Sequence, residues 1–140
     1  MILNGEVESA DWQAVRQTKN YQTNAGVTDV SSGDMRCYQM AGGKATLTVP
    51  VGSKLGFQAA ASVSHFGPLQ FYMARVPDSA NINTWDAAGN VWFKIAKIDA
   101  VKGPNGYDSS VATWPTYGRS SLEYSKSRIT EADTYIPNRR

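Results

Sequence analysis

Along much of the chain apolar and polar residues alternate one for one, instead of recurring at every third or fourth position. Leu69-Gln70-Phe71-Tyr72-Met73-Ala74 puts Leu69, Phe71 and Met73 on one side and Gln70 and Tyr72 on the other. Successive side chains of a strand point to opposite faces, so this pattern predicts a half-buried strand. Val91-Trp92-Phe93-Lys94-Ile95 repeats it, with Val91, Phe93 and Ile95 inward and Trp92 and Lys94 opposite. Leu55, Phe57 and Ala59 share one face of a further strand. Thr46-Leu47-Thr48-Val49, set between the turn formers Gly42-Gly43 and Pro50-Val51-Gly52, reads as another, and Ser120-Ser121-Leu122-Glu123-Tyr124 as one more. Pro77–Asn81 reads as a loop and Trp85–Asn90 as a turn; Asp11–Arg16 is the one candidate helical turn.

Short strands separated by Gly and Pro predict an all-β fold, an antiparallel sandwich or barrel. A complete sandwich takes about seven strands, more than the pattern supplies, so the fold reads as short of strands. No internal repeat, low-complexity tract or linker divides the chain. From about Ser120 the texture changes: after the candidate strand ending at Tyr124 the chain is polar, and only Ile129, Tyr135 and Ile136 offer anchors, so a mobile tail is expected there.

Composition supports a packed domain: 140 residues, 41% hydrophobic and 11% aromatic. A net charge of +2, with Arg139-Arg140 as the only dense basic pair, leaves no basic stripe interleaved with aromatics. Nucleic acid is therefore not an expected partner. No apolar run is long enough to cross a bilayer, and no membrane partner is expected. Met1–Glu6 has neither the basic start nor the apolar run of a signal peptide.

Reactive residues are few. Cys37 is the single cysteine, either a small half-buried hydrophobe or a thiol whose partner is missing from the chain. His65, the single histidine, lies in Ser64-His65-Phe66-Gly67-Pro68, a turn between strands; it is either a structural residue or one metal ligand. Asp29 and Asp34 flank Ser31-Ser32-Gly33, which reads as a hydrogen-bonded turn before it reads as an acid/base couple. Asp108, Glu123, Glu131 and Asp133 read as solvated. There is no nucleophile elbow, phosphate loop or zinc-type cysteine spacing. This chemistry favours a binding or structural domain over a hydrolase. Trp12, Tyr21, Tyr38, Trp85, Trp92 and Trp114 suit a core or its edges. Tyr21, among Asn20, Gln22, Thr23 and Asn24, is the ring best placed to stack on a sugar.

A larger pattern overlies these residues. Asp11-Trp12-Gln13 with Val15-Arg16 is followed by Val27-Thr28-Asp29-Val30 and the apolar-Arg-Cys step Met35-Arg36-Cys37. Then come His65-Phe66-Gly67-Pro68 with the strand running to Pro77, Val91-Trp92-Phe93-Lys94-Ile95, and Thr113-Trp114-Pro115. In order and spacing, from about Leu3 to Ser121, this resembles the N-terminal part of fungal lytic polysaccharide monooxygenases of auxiliary activity family nine.

The resemblance implies a secreted enzyme with an immunoglobulin-like sandwich and a flat, cellulose-facing surface. It implies one copper in a histidine brace: two nitrogens from an N-terminal histidine, a third from a second histidine, an axial tyrosine, and a further His and Gln nearby. That set suits tetragonal Cu(II), and the glycosidic bond breaks by oxidation rather than hydrolysis. By the same resemblance His65 is the second copper histidine, Tyr21 a substrate-facing aromatic, and Cys37 a half-cystine whose partner would lie beyond Ser121. Phe66 stands where proline is usual. The N-terminal histidine is unmatched, because the chain begins with Met1, and the axial tyrosine and the further His and Gln would fall downstream of Ser121.

The resulting expectation is an incomplete sandwich domain over 1–121 and a divergent tail over 122–140. Copper is expected to be weak or absent, and the chain as written is not expected to be competent to cleave cellulose. The alternatives are a non-catalytic cellulose-binding module acting through Tyr21, or a weak His65-based metal or redox protein in which iron replaces copper. Strands left uncovered predict self-association.

Overall fold

The computed structural model describes residues 2–3, 6–7, 9–38, 45–50, 52–59, 62–108 and 112–124; at residues 2–3, 6–7, 37 and 122–124 it describes the backbone alone. Among the described residues there are six strands and one helical turn: β1 (Ile2–Leu3), β2 (Glu6–Val7), α1 (Asp34–Cys37), β3 (Leu55–Gln58), β4 (Leu69–Ala74), β5 (Trp92–Ile98) and β6 (Ser121–Tyr124). They form two antiparallel sheets, one ordered β2-β1-β3-β6 and the other the hairpin β4-β5. The fold is all-β, a β-sandwich, as the alternation predicts.

β4 and β5 follow the predicted alternation closely. Along β4 the exposed residues are Gln70 and Tyr72, with Leu69, Phe71 and Met73 half-buried between them. On β5 Trp92 and Lys94 face out and Phe93 inward, but Ile95 and Ala96 are both half-buried in succession. The register explains it: Tyr72 pairs with Lys94 and Phe71 with Ala96, so Ile95 is an extra residue, a β-bulge. The bulge resets the alternation and returns Lys97 to the outer side opposite Gln70. On that side the Lys94 ammonium lies 5.4 Å from the centre of the Tyr72 ring.

The two sheets meet where Phe57 of β3 approaches Phe71 of β4, with ring centres 6.3 Å apart. Burial is shallow: among the described residues Ala87 is the one buried hydrophobic, and Phe57 and Ile98 remain 37% and 44% exposed.

Two predicted elements differ. Residues 45–50 run without a strand ladder. Pro50 has no N–H to give a neighbour, and the segment lies instead along residues 13–14, where Ala45 donates its N–H to the Gln13 carbonyl at 3.2 Å. Asp11–Arg16 is a turn rather than a helix, because Trp12 takes a left-handed φ of 58° that a right-handed helix excludes. The helical turn forms instead at Asp34–Cys37. The predicted strand near Ser120 is β6, which pairs with β3 through Tyr124. The rest of the expected tail, 125–140, lies outside the described residues.

Side chains knit the long loop 77–90 to the N-terminal segments. The Arg16 guanidinium donates to the Ile82 carbonyl at 2.9 Å and to the Trp85 carbonyl at 3.4 Å. Arg36 donates to the Asp86 carbonyl at 3.0 Å and pairs with its carboxylate at 3.4 Å. The Trp92 indole N–H donates to the Ala87 carbonyl at 3.1 Å.

Candidate functional site

His65 is carried to the surface by a ribbon that extends past β3 and β6. Beyond the ladder, Ala59 N–H donates to Ser120 O at 2.8 Å, and Val63 N–H to Arg119 O at 2.9 Å. Gly118 N–H returns a bond to Val63 O at 2.9 Å, and Arg119 N–H closes a turn on Thr116 O at 3.1 Å. Gly118 makes that reversal at φ 73°, a conformation that costs glycine little. Segment 113–118 is thereby laid against the turn 64–68.

Thr116 locks the two together. Its side chain is among the few buried polar ones described, and its hydroxyl hydrogen is shared between the Gly67 carbonyl at 3.0 Å and the His65 carbonyl at 3.4 Å. The backbone of the histidine turn is therefore held from below while the His65 side chain stays exposed. Phe66 stacks on Tyr117 with ring centres 4.3 Å apart and planes 22° apart, and meets Trp114 in a tilted contact at 6.3 Å. The Trp114 indole N–H is buried without a hydrogen-bond partner among the described residues. This loop hangs from the end of β5 through reciprocal bonds between Val101 and Thr113, at 2.8 and 3.1 Å.

Tyr21 is exposed, as its polar neighbours predict, and makes an edge-on contact with Trp12 at 6.3 Å. Its loop is wrapped around Asn20, whose carbonyl accepts from Thr23 N–H at 2.9 Å and Asn24 N–H at 2.7 Å, and whose side-chain amide donates to the Ala25 carbonyl. The Tyr21 N–H bonds Thr18 O, and Thr18 lines a groove of about 410 Å³ with Arg36, Tyr38, Val76, Trp85 and Trp92. Val76 follows β4 and Trp92 opens β5, whereas His65 precedes β4. The Tyr21 loop is thus joined through Thr18 to the groove at the end of β4, and His65 lies ahead of the start of that strand. Cys37 ends α1 on the Tyr21 side, beside the Lys19–Asp34 ion pair of 2.6 Å; its side chain lies outside the described residues.

The carboxylates behave as the turn reading predicts. Asp29 accepts from the Ser31 hydroxyl at 2.6 Å and the Ser31 N–H at 2.9 Å. Those bonds, the hydroxyl's first, hold its carboxyl below the ordinary aspartate range. Asp34 is occupied by Lys19. Among the described residues no group of three or more His, Cys, Asp or Glu side chains is gathered to hold a metal ion. Among the described residues the His65 turn thus offers one exposed imidazole, next in the chain to the stacked Phe66.

A profile of Auxiliary Activity family 9, formerly GH61, matches residues 1–138. The chain belongs to auxiliary activity family 9. It is similar to AA9 family lytic polysaccharide monooxygenase H of Malbranchea cinnamomea, 49% identical over 125 residues, which is 88% of this chain and 52% of that protein. Enzyme C of the same fungus is 40% identical over 124 residues, 87% of this chain and 51% of its own length. Enzyme A of Thermothelomyces thermophilus is 39% identical over 129 residues, 91% of this chain and 55% of its own length. This family 9 chain spans about half the length of the curated relatives it matches.

Sequence reasoning singled out His65 and Tyr21 but passed over Thr116 and Tyr117. A threonine that bonds two carbonyls far along the chain leaves no local signature. Tyr117 did leave one, since an aromatic beside a turn glycine and followed by Arg119 and Ser120 is placed to be exposed.

Proposed function

We propose that this chain is a polysaccharide-facing member of auxiliary activity family 9 that adheres to cellulose or a related β-glucan, with Tyr21 contacting the polymer and His65 offering one copper-type ligand. The observation that carries the reading is the family membership together with a pinned, solvent-exposed His65 turn flanked by open aromatic rings. An insoluble polymer has to be met outside the cell, so the proposed location is extracellular.

The donor set does not fit a copper brace built from these 140 residues alone. His65 is the single histidine, and no second ligand is gathered beside it among the described residues. One imidazole holds a divalent ion weakly, since affinity rises with the number of deprotonated ligands fixed in place. We therefore assign these residues glucan binding and route no oxidative step through them.

The shallow core favours association as well. Phe57 and Ile98 stay partly exposed on the inner faces, and open apolar strand faces promote self-pairing. Sedimentation analysis is expected to show mass rising with concentration; a strict monomer throughout counts against it.

A pull-down on microcrystalline cellulose tests the binding reading. Retention is expected for the unmodified chain, with Tyr21→Ala weakened about tenfold, the worth of one well-placed ring. No retention rejects the proposal, and equal retention of both proteins removes Tyr21 from it.

A further inference from the structure

We propose that Tyr117, backed by Phe66, is a sugar-stacking platform that binds a gluco-configured ring of a β-glucan chain and forms one surface with the His65 turn. The inference rests on the polysaccharide reading above and adds a second contact point to it.

Three rings step outward from the fold. Trp114 is half-buried with its indole N–H covered, Phe66 is 45% exposed, and Tyr117 is 53% exposed. The 22° angle and 4.3 Å separation make the Phe66–Tyr117 contact face-on, so one face of Tyr117 is covered by Phe66. Phe66 also meets Trp114 in a tilted contact. Tyr117, the more exposed of the stacked pair, is the ring that offers area to a ligand.

An isolated exposed aromatic is common on protein surfaces and signals little. Tyr117 differs because its position is fixed before any ligand arrives. Thr116, one residue earlier, is tied to the Gly67 and His65 carbonyls, and Gly118, one residue later, is tied to Val63 O. With the backbone fixed on both sides and the ring backed by Phe66, the side chain loses little freedom on binding. Phe66 supplies that backing at the position where the family resemblance expects proline, which has no ring of this kind.

The ligand chemistry follows from the shape. A pyranose whose hydroxyls are all equatorial presents a flat face of apolar C–H groups that matches an aromatic ring, and its hydroxyls project at the rim. Ser64, Arg119 and Ser120, near Phe66 and Tyr117 in the chain, are exposed and carry the hydrogen-bonding groups that such a rim needs. A single ring face is far smaller than the roughly 800 Å² per partner of a stable protein interface, so the platform fits a sugar rather than a protein.

Adsorption isotherms on amorphous cellulose test the assignment, using the full chain, Tyr117→Ala, Tyr117→Phe, Phe66→Ala and, as a control, Tyr107→Ala in another exposed loop. Tyr117→Ala is expected to weaken adsorption about tenfold and Tyr117→Phe by no more than about twofold, because the ring face and not the hydroxyl does the stacking. Phe66→Ala is expected to fall between them, and Tyr107→Ala to match the unmodified chain. Should Tyr117→Ala lose its near-ultraviolet circular dichroism, Tyr117→Leu takes its place, with the same loss expected from apolar bulk that has no flat face. Adsorption of the Ala or Leu variant equal to that of the unmodified chain overturns the platform alone. Failure of the unmodified chain to adsorb overturns the polysaccharide reading, and the platform with it.

Discussion

Replacing Thr116 with valine removes one hydroxyl and leaves the shape nearly unchanged, so the effect isolates the bond that holds the His65 turn. The hydroxyl gives one good hydrogen bond, 3.0 Å to Gly67 O, and a weaker branch of 3.4 Å to His65 O. A neutral buried hydrogen bond contributes about 1 kcal/mol net, and stranding its acceptor adds to the loss. Gly67 is half-buried, so water reaches part of its carbonyl and limits that addition. The expected cost is about 1–2 kcal/mol, which for a domain of this size lowers the thermal midpoint by roughly 3–8 °C. Differential scanning calorimetry reads the midpoint, and hydrogen exchange at the Phe66 and Gly67 amides reads the turn. Thr116→Ser keeps the hydroxyl and is expected to exchange like the unmodified protein. A Thr116→Val protein with an unchanged midpoint and unchanged exchange at both amides shows that the hydroxyl does not carry the turn.

Other consequences are open to measurement. The Asp29 carboxyl is held below the ordinary aspartate range of about 3.9 by Ser31, so its NMR titration midpoint is expected to be low and to rise in Ser31→Ala. A depressed folded-state value stabilises above the unfolded pKa and loses that contribution as pH falls through the folded one; an unshifted midpoint contradicts the turn. Arg16→Ala removes charged donors from the Ile82 and Trp85 carbonyls, costs about 1–3 kcal/mol, and is expected to open loop 77–90 to limited proteolysis. Cutting no faster than in the unmodified chain refutes that anchor. A copper(II) competition titration followed by electron paramagnetic resonance is expected to show weak binding that diminishes further in His65→Ala. A tight, His65-dependent, nitrogen-rich tetragonal signal would revive a complete site.

Much of this was legible in the residue order, for identifiable physical reasons. Side-chain alternation of period two is a property of the strand itself, and it set the inward residues of β4 and β5 correctly up to Ile95. The bulge there was not legible, because an inserted residue shows only against its partner strand. The turn at Ser31 was readable since Asp and Ser bond their own near neighbours. Trp12 misled, because a left-handed tryptophan is rare and nothing local announces it. At the site, the resemblance pointed to His65 and Tyr21, but the Thr116 bonds that hold the His65 turn depend on pairing across the fold. The same holds for Phe66 and Tyr117, which are 51 residues apart in sequence and meet only because Gly118 pairs with Val63.

Under the proposed reading these residues bind β-glucan and, with one imidazole as their metal donor, carry out no oxidative cleavage by themselves. Incubating the chain with amorphous cellulose, copper(II), ascorbate and peroxide, then measuring both the bound fraction and the oxidised oligosaccharides released, tests both halves at once. The protein is expected to adsorb, with no oxidised products above the level of free copper. Absence of adsorption, or oxidised products that vanish in His65→Ala, contradicts it.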